Sequence, residues 1–221
     1  THSSLTNGTL YYYRITALDN AGNVTSYTSD VSSLPHVIDG NYALSFDGSN
    51  DKIEISNSNT NLRSFTNKIS ISGWVKATSG GSSYRNIITN THTDGSDGYT
   101  IILEDHDKFY FILDNGNNST SLYSTTVTSL NTWYFFTMTY SSGSFKVYVN
   151  GELENSNTSS GNIDNPAANT SMFIGSRRDL SQFFPGPIDE LAIWDDELTA
   201  NEVTALYNSG LPLSANSNSG N

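Results

Sequence analysis

The stretch WYFFTMTYSSGSFKVYVNGEL, residues 133–153, reads as strand, turn, strand and turn in succession. Phe145, Val147 and Val149 recur at every second position, so they share one face of an extended segment whose other face carries Lys146 and Tyr148. Asn150-Gly151 follows at once and supplies the pair of left-handed residues that a tight hairpin turn needs. Working outward, the same grammar repeats in KIEI, KISISGWV, YTIIL and KFYFIL, each bounded by Asn, Gly, Ser or Asp. In KIEI, Ile53 and Ile55 point one way while Lys52 and Glu54 point the other, the mark of a half-buried strand. Short alternating runs between turn residues predict an all-β fold of antiparallel strands.

KISISGWV departs from the pattern. Ile69, Ile71 and Val75 share a parity that leaves Trp74 opposite them. Either both faces of this strand are covered, or a bulge at Gly73 turns the indole inward. Trp74 is then a core residue, or, if exposed, a platform for a sugar ring.

One helix is expected, over LTANEVTALYNSG. Thr199 and Glu202 have capping-box spacing, and Leu198 and Val203 stand where a hydrophobic staple would be. Val203, Leu206 and Tyr207 make one apolar stripe, and Gly210 is the expected left-handed stop. Such a helix closes an edge and carries no chemistry.

Length and composition narrow the function. A chain of 221 residues is enough for one sandwich and an appendage. It has no cysteine, which excludes a disulfide framework, a thiolate metal site and a cysteine nucleophile. Its net charge of -12 comes from 22 acidic and 10 basic residues, a field that repels phosphate backbones and argues against nucleic acid and anionic membranes. No apolar run is long enough for a transmembrane helix, and direct membrane insertion is not expected. Residues 1–20 lack a targeting pattern, so the chain reads as the interior of a longer, exported protein, extracellular or at the cell surface.

Two resemblances follow from particular residues. The segment LTNGTLYYYRITALDNAGNVTSYTSDVSS, within residues 1–33, resembles the last two strands of a fibronectin type III domain. Leu5, Gly8, Thr9 and Tyr11 carry it as a tyrosine corner, and ALDNAGN as the turn before the final strand. Residues 34–41, LPHVIDGN, read as a linker. Residues 42–210 resemble the laminin G-like group of concanavalin A-like lectin domains, related to pentraxins. The likeness rests on YALSFDGSNDKIEI, FTNKISISGWVK, NTWYFFTMTYSSGSFKVYVNGEL and the closing PIDELAIWDDEL with its helix. That resemblance implies an antiparallel jelly-roll β-sandwich with one short C-terminal helix. It also implies binding of polysaccharide, glycoconjugate or protein, often with calcium, beside covalently attached neighbouring domains. Residues 211–221 read as a flexible linker or tail.

Candidate sites are of two kinds. For calcium, Asp47 and Asp189 lie near the first and last strands, which run side by side in a jelly roll, and Asn50 and Asp51 add oxygens. The family resemblance places a structural calcium near the same two segments. The alternative is that Asp47 caps its own turn and Asp189 pairs with an arginine. A second cluster, Asn90, Asp94 and Asp97 in NTHTDGSDG, is either a metal loop or a turn in solvent.

For a sugar, aromatic faces and polar side chains are needed together. Tyr84, Arg85, His92 and Tyr99 border the acidic loop, while Tyr110 and Tyr123 sit on strands. In SRRDLSQFFPG, Arg177, Arg178 and Gln182 offer hydrogen bonds to an acidic sugar or a peptide. Phe183 and Phe184 are adjacent, so a regular strand cannot bury both, and one is expected at the surface. The alternative is a ring folded over the sandwich mouth and arginines paired locally.

Catalysis is not expected. No nucleophile elbow, metalloprotease helix or phosphate loop is present, and LEDHDK, with Glu104, Asp105 and Asp107, lacks the glutamate pair of a sandwich glycosidase. Two readings remain: a carbohydrate-binding module, possessing or lacking calcium assistance, and a protein-binding or spacer domain of a surface adhesin.

Overall fold

The computed structural model describes residues 43–56, 65–80, 84–91, 97–104, 106–114, 119–166 and 170–210, together with the backbone of residues 11–13 and 31–33. The chain divides into two compact units, Thr1–Asn41 and Tyr42–Asn221.

In the first unit, β1 (Tyr11–Tyr13) pairs antiparallel with β2 (Val31–Ser33), Tyr11 opposite Ser33. The side chains of this hairpin, and so the Tyr11 corner, lie outside the described residues, as do the linker 34–41 and the tail 211–221.

The second unit is a sandwich of two six-stranded antiparallel sheets. Strands β3 (Leu44–Asp47), β5 (Lys68–Val75), β10 (Tyr134–Ser141), β11 (Ser144–Val149), β12 (Glu152–Asn157) and β14 (Pro185–Trp194) form the first, in the order β12-β11-β10-β5-β14-β3. Strands β4 (Ile53–Ile55), β6 (Arg85–Asn90), β7 (Tyr99–Leu103), β8 (Lys108–Asp114), β9 (Ser119–Val127) and β13 (Met172–Ile174) form the second, in the order β4-β13-β6-β7-β8-β9. First and last strands of the unit, β3 and β14, pair directly.

Period-two patterning builds the core. Ile69, Ile71 and Val75 of β5, Phe136, Met138 and Tyr140 of β10, and Phe145, Val147 and Val149 of β11 face inward from the first sheet. Ile101 and Leu103 of β7 with Phe109, Phe111 and Leu113 of β8 face them from the second. At the hairpin between β11 and β12, Asn150 and Gly151 both hold left-handed backbone, φ 52° and 81°, the geometry their sequence predicts.

Trp74 has both faces of its strand covered. β5 pairs with β10 in unbroken register, so the indole stays opposite Ile71 and Val75. There it packs with Phe135, Tyr148 and Val203, and Tyr207 stacks on it at 5.6 Å. The cover is α1 (Ala200–Tyr207), entered through a capping box between Thr199 and Glu202. Leu198 packs in the same cluster as Val203, as a staple requires. The helix stops two residues earlier than Gly210 suggests: Asn208 is the left-handed cap, φ 47°, its N–H donating to the Thr204 carbonyl. Asparagine substitutes for glycine there because its short polar side chain tolerates that conformation.

Candidate functional site: a groove on the outer face of the second sheet

The inward parity of β7 and β8 sends their other residues outward. Thr100, Ile102, Tyr110 and Ile112 therefore share the outer face and form the floor of a depression of about 290 Å³. A bulge in β6, between Asn86 and Ile88, lets Ile87 and Ile88 both enter the core. On either side of it, Asn86 and Thr89 turn to the groove. Thr89 Oγ1 donates to Asn86 Oδ1 at 3.1 Å, and Asn86 Nδ2 donates to Gln182 Oε1 at 3.1 Å. That chain of bonds aims the Gln182 amide across the groove wall.

Above the floor stands the turn carrying Arg177, Arg178 and Asp179, all of which line the groove with Tyr84. Gly175 begins the turn at φ 82°; a Cβ there would lie 2.3 Å from the Phe46 ring, so glycine is required. Leu180 and Gln182 also hold left-handed backbone, φ 57° and 54°. Hydrogen bonds from the Arg177 N–H to the Ser181 carbonyl and from the Asn86 N–H to the Gln182 carbonyl keep them there.

Tyr123 is the cross-strand partner of Tyr110, and their rings stack at 4.2 Å with 12° between planes. Tyr123 remains 41% exposed and Tyr84 40%, so the face offers flat aromatic surface beside hydrogen-bonding groups. Burial pushes the Tyr123 hydroxyl up to about 12, helped by Tyr110 and the Glu104 charge, so it stays a neutral hydrogen-bonding group at neutral pH.

Tyr84, Arg177 and Gln182 thus come together, joined by Arg178, Tyr110 and Tyr123. Four other expected contacts do not reach this surface. Tyr99 is buried, edge-on to Phe65. Arg85 is buried too, donating to the Glu104 and Ser79 carbonyls and pairing with Asp107 at 2.6 Å. It is a structural arginine. Phe184 is fully buried in the core, and Phe183 is half-buried outside the groove lining. His92 and Asp94 lie outside the described residues. Sequence reading missed Asn86, Thr89, Thr100, Ile102 and Ile112; the signal was present in YTIIL and KFYFIL, as the parity opposite the core residues.

The proposed calcium pair is not brought together. Asp47 is opposite Pro185, whereas Asp189 lies four residues further along β14, past the Ile188–Leu44 pair, a separation of about 13 Å at strand rise. Asp47 Oδ1 accepts the N–H groups of Ser49 and Asn50 at 2.7 and 3.0 Å, and Asp51 Oδ2 accepts the Asp47 N–H at 2.9 Å. The loop is thus closed by its own backbone, which holds the Asp47 carboxyl below its ordinary value. Among the described residues Asp189 pairs with no arginine and its Oδ2 is buried without a hydrogen-bond partner, and burial raises its pKa. Asn90 is buried in β6. Burial first, and then the charges of Asp114 and Asp97, raise the Asp164 pKa. Among the described residues, no three His, Asp or Glu side chains gather as a metal-holding group. The donors present do not fit a shared ion between Asp47 and Asp189.

Glu104 and Asp107 are also engaged, with His106 at 3.3 Å and with Arg85. The groove, with its aromatic faces and hydrogen-bonding side chains, has the makings of a binding surface.

A family model described as the concanavalin A-like lectin/glucanases superfamily, Laminin_G_3, matches residues 47–204. No curated protein matches the chain. Among solved structures, the Ruminococcus gnavus IT-sialidase CBM40 bound to alpha2,3 sialyllactose is similar with a TM-score of 0.60 and 14% identity, over 75% of this chain and 95% of that one. The native heptameric SAP-like pentraxin from Limulus polyphemus gives 0.53 and 14%, over 74% and 80%. Domains LG4-5 of the mouse laminin alpha1 chain give 0.56 and 17%, over 80% of this chain and 46% of that one. At these identities the likeness is one of fold.

Proposed function

Because this chain belongs to the concanavalin A-like lectin/glucanases superfamily, we propose that it is a non-catalytic carbohydrate-binding module of a larger exported protein, holding its ligand in the groove of the second sheet. One observation carries the reading: the stacked, partly exposed Tyr110–Tyr123 pair adjoins a concave surface edged by the Asn86 and Gln182 amides. A sugar ring presents an apolar face and a rim of hydroxyls, which such a surface matches; a protein partner is better served by a flat apolar patch. The structurally similar CBM40 bound to sialyllactose supports a glycan as ligand.

The proposal extends to residues 1–33 as the closing hairpin of a fibronectin type III-like repeat, supported by the antiparallel pairing of β1 and β2. Calcium is assigned no step. Its part is tested directly, because binding lost on chelation would make the ion part of the site.

The experiment is a glycan array with calcium and with chelator, repeated on Tyr123→Ala. Retention of some glycan by the native chain, weakened at least tenfold in the variant, is the expected result. Undiminished binding by Tyr123→Ala places the ligand elsewhere, and a blank array in both buffers removes the carbohydrate reading in favour of a protein partner.

A further inference from the structure

Resting on the assignment of the groove to a glycan, we propose that this glycan carries a carboxylate and that Arg177 and Arg178 read it. The chain has only 10 basic residues against 22 acidic ones, yet two consecutive arginines line one wall of the groove. Asp179 is the one carboxylate among the described lining residues.

Both guanidinium groups have donors to spare within the described contacts. Arg177 reaches Asp179 only at 3.5 Å, with both side chains about half exposed, 48% and 55%. Asp179 is also occupied by the Ser181 hydroxyl at 2.5 Å. That ion pair is loose and solvent-screened, a contact that an incoming anion can replace. Arg178 donates from one nitrogen, Nη1, to the Thr91 carbonyl at 3.2 Å, which tethers one end of the group while its other N–H donors remain for a ligand.

The turn is built to hold this arrangement. Left-handed backbone at two non-glycine residues, Leu180 and Gln182, costs free energy and persists only because the Ser181 and Gln182 carbonyls are tied down. A neutral sugar would need only the amides and hydroxyls of the floor. The planar fork of a guanidinium matches the two oxygens of a carboxylate, a geometry that a lysine or an amide does not reproduce. The stacked tyrosines then hold the ring that carries the acid.

The test pairs each acid with its uncharged counterpart: 3′-sialyllactose against lactose, and oligogalacturonate against its methyl ester, measured by calorimetry. A sulfated probe, κ-carrageenan oligomers, separates sulfate from carboxylate. The chains are native, Arg177→Gln/Arg178→Gln and Tyr123→Ala, each checked by thermal unfolding. An acid should bind about tenfold or more tighter than its uncharged partner, the double arginine variant should lose that preference, and Tyr123→Ala should weaken both members of a pair. Should the double variant unfold, Arg177→Lys, which keeps the charge and gives up the fork, must still lower the preference. Equal binding of acid and uncharged partner, or tighter binding of the sulfated probe, overturns the carboxylate and leaves the glycan reading standing. No binding of either acid by the native chain overturns the carboxylate, and the glycan array alone then decides the carbohydrate reading.

Discussion

Glu154 joins the two sheets at the edge nearest the tyrosine stack, and its removal should loosen that edge measurably. It sits on β12 of the first sheet and accepts from β9 of the second. Its Oε2 takes the Thr125 N–H at 2.6 Å, the Thr125 hydroxyl at 2.6 Å and the Thr126 N–H at 2.7 Å, and its Oε1 takes the Thr126 hydroxyl at 2.5 Å. A hydrogen bond to a charged group is worth about 1.5–3 kcal/mol when buried. Here Thr125 is exposed and Thr126 half-buried, so water replaces much of each bond, and Glu154→Gln should cost about 1–2 kcal/mol in all. For a unit of this size that is roughly 2–8 °C in Tm.

The pH dependence follows from the same bonds. Burial pushes the Glu154 carboxyl up, but the threonine donors outweigh it and hold the pKa below its ordinary 4.5. A depressed folded-state pKa means stability that is fully present above about pH 4.5 and lost as pH falls through the folded value. Urea unfolding of native and Glu154→Gln chains at pH 7 should therefore differ, and the difference should shrink below pH 4. Because the Thr125 and Thr126 N–H groups donate to the Glu154 carboxylate, amide exchange at these two residues should quicken in the variant. An unchanged Tm, or a difference that persists undiminished at pH 3, would refute the clasp.

Two further substitutions test the frame of the groove and the calcium geometry. Gly175→Ala places a methyl 2.3 Å from the Phe46 ring at φ 82°; it should cost at least about 2 kcal/mol by chemical denaturation, and a neutral outcome would mean the turn is not anchored there. Asp189→Asn should be neutral or stabilising at pH 7, since it removes the charge from a carboxylate whose Oδ2 is buried without a partner. Because the Asp189 pKa is raised by burial, the native chain should gain on the variant as pH falls through the folded pKa towards the unfolded one. A calcium-dependent rise in the native Tm that Asp189→Asn abolishes would show instead that this carboxylate holds an ion.

The residues legible in sequence are those whose fate is local. Alternation in SFKVYV and KFYFIL determined strands and their inward faces, Asn150-Gly151 determined a hairpin, and Thr199 with Glu202 determined where the helix begins, because each depends on neighbours a few bonds away. Those signals, with the resemblance in PIDELAIWDDEL, were enough for the sandwich. Tertiary structure decided which residues meet. Trp74 is core because a helix more than a hundred residues later lies over it; Arg85 is structural because Asp107 comes back to it on a neighbouring turn. Asp47 and Asp189 share neighbouring strands yet stand apart because the β3–β14 register offsets them. Tyr110 and Tyr123 make one aromatic surface because the β8–β9 register sets them opposite each other. Register and closure arise from long-range burial of two faces at once, and no local window of sequence contains that information.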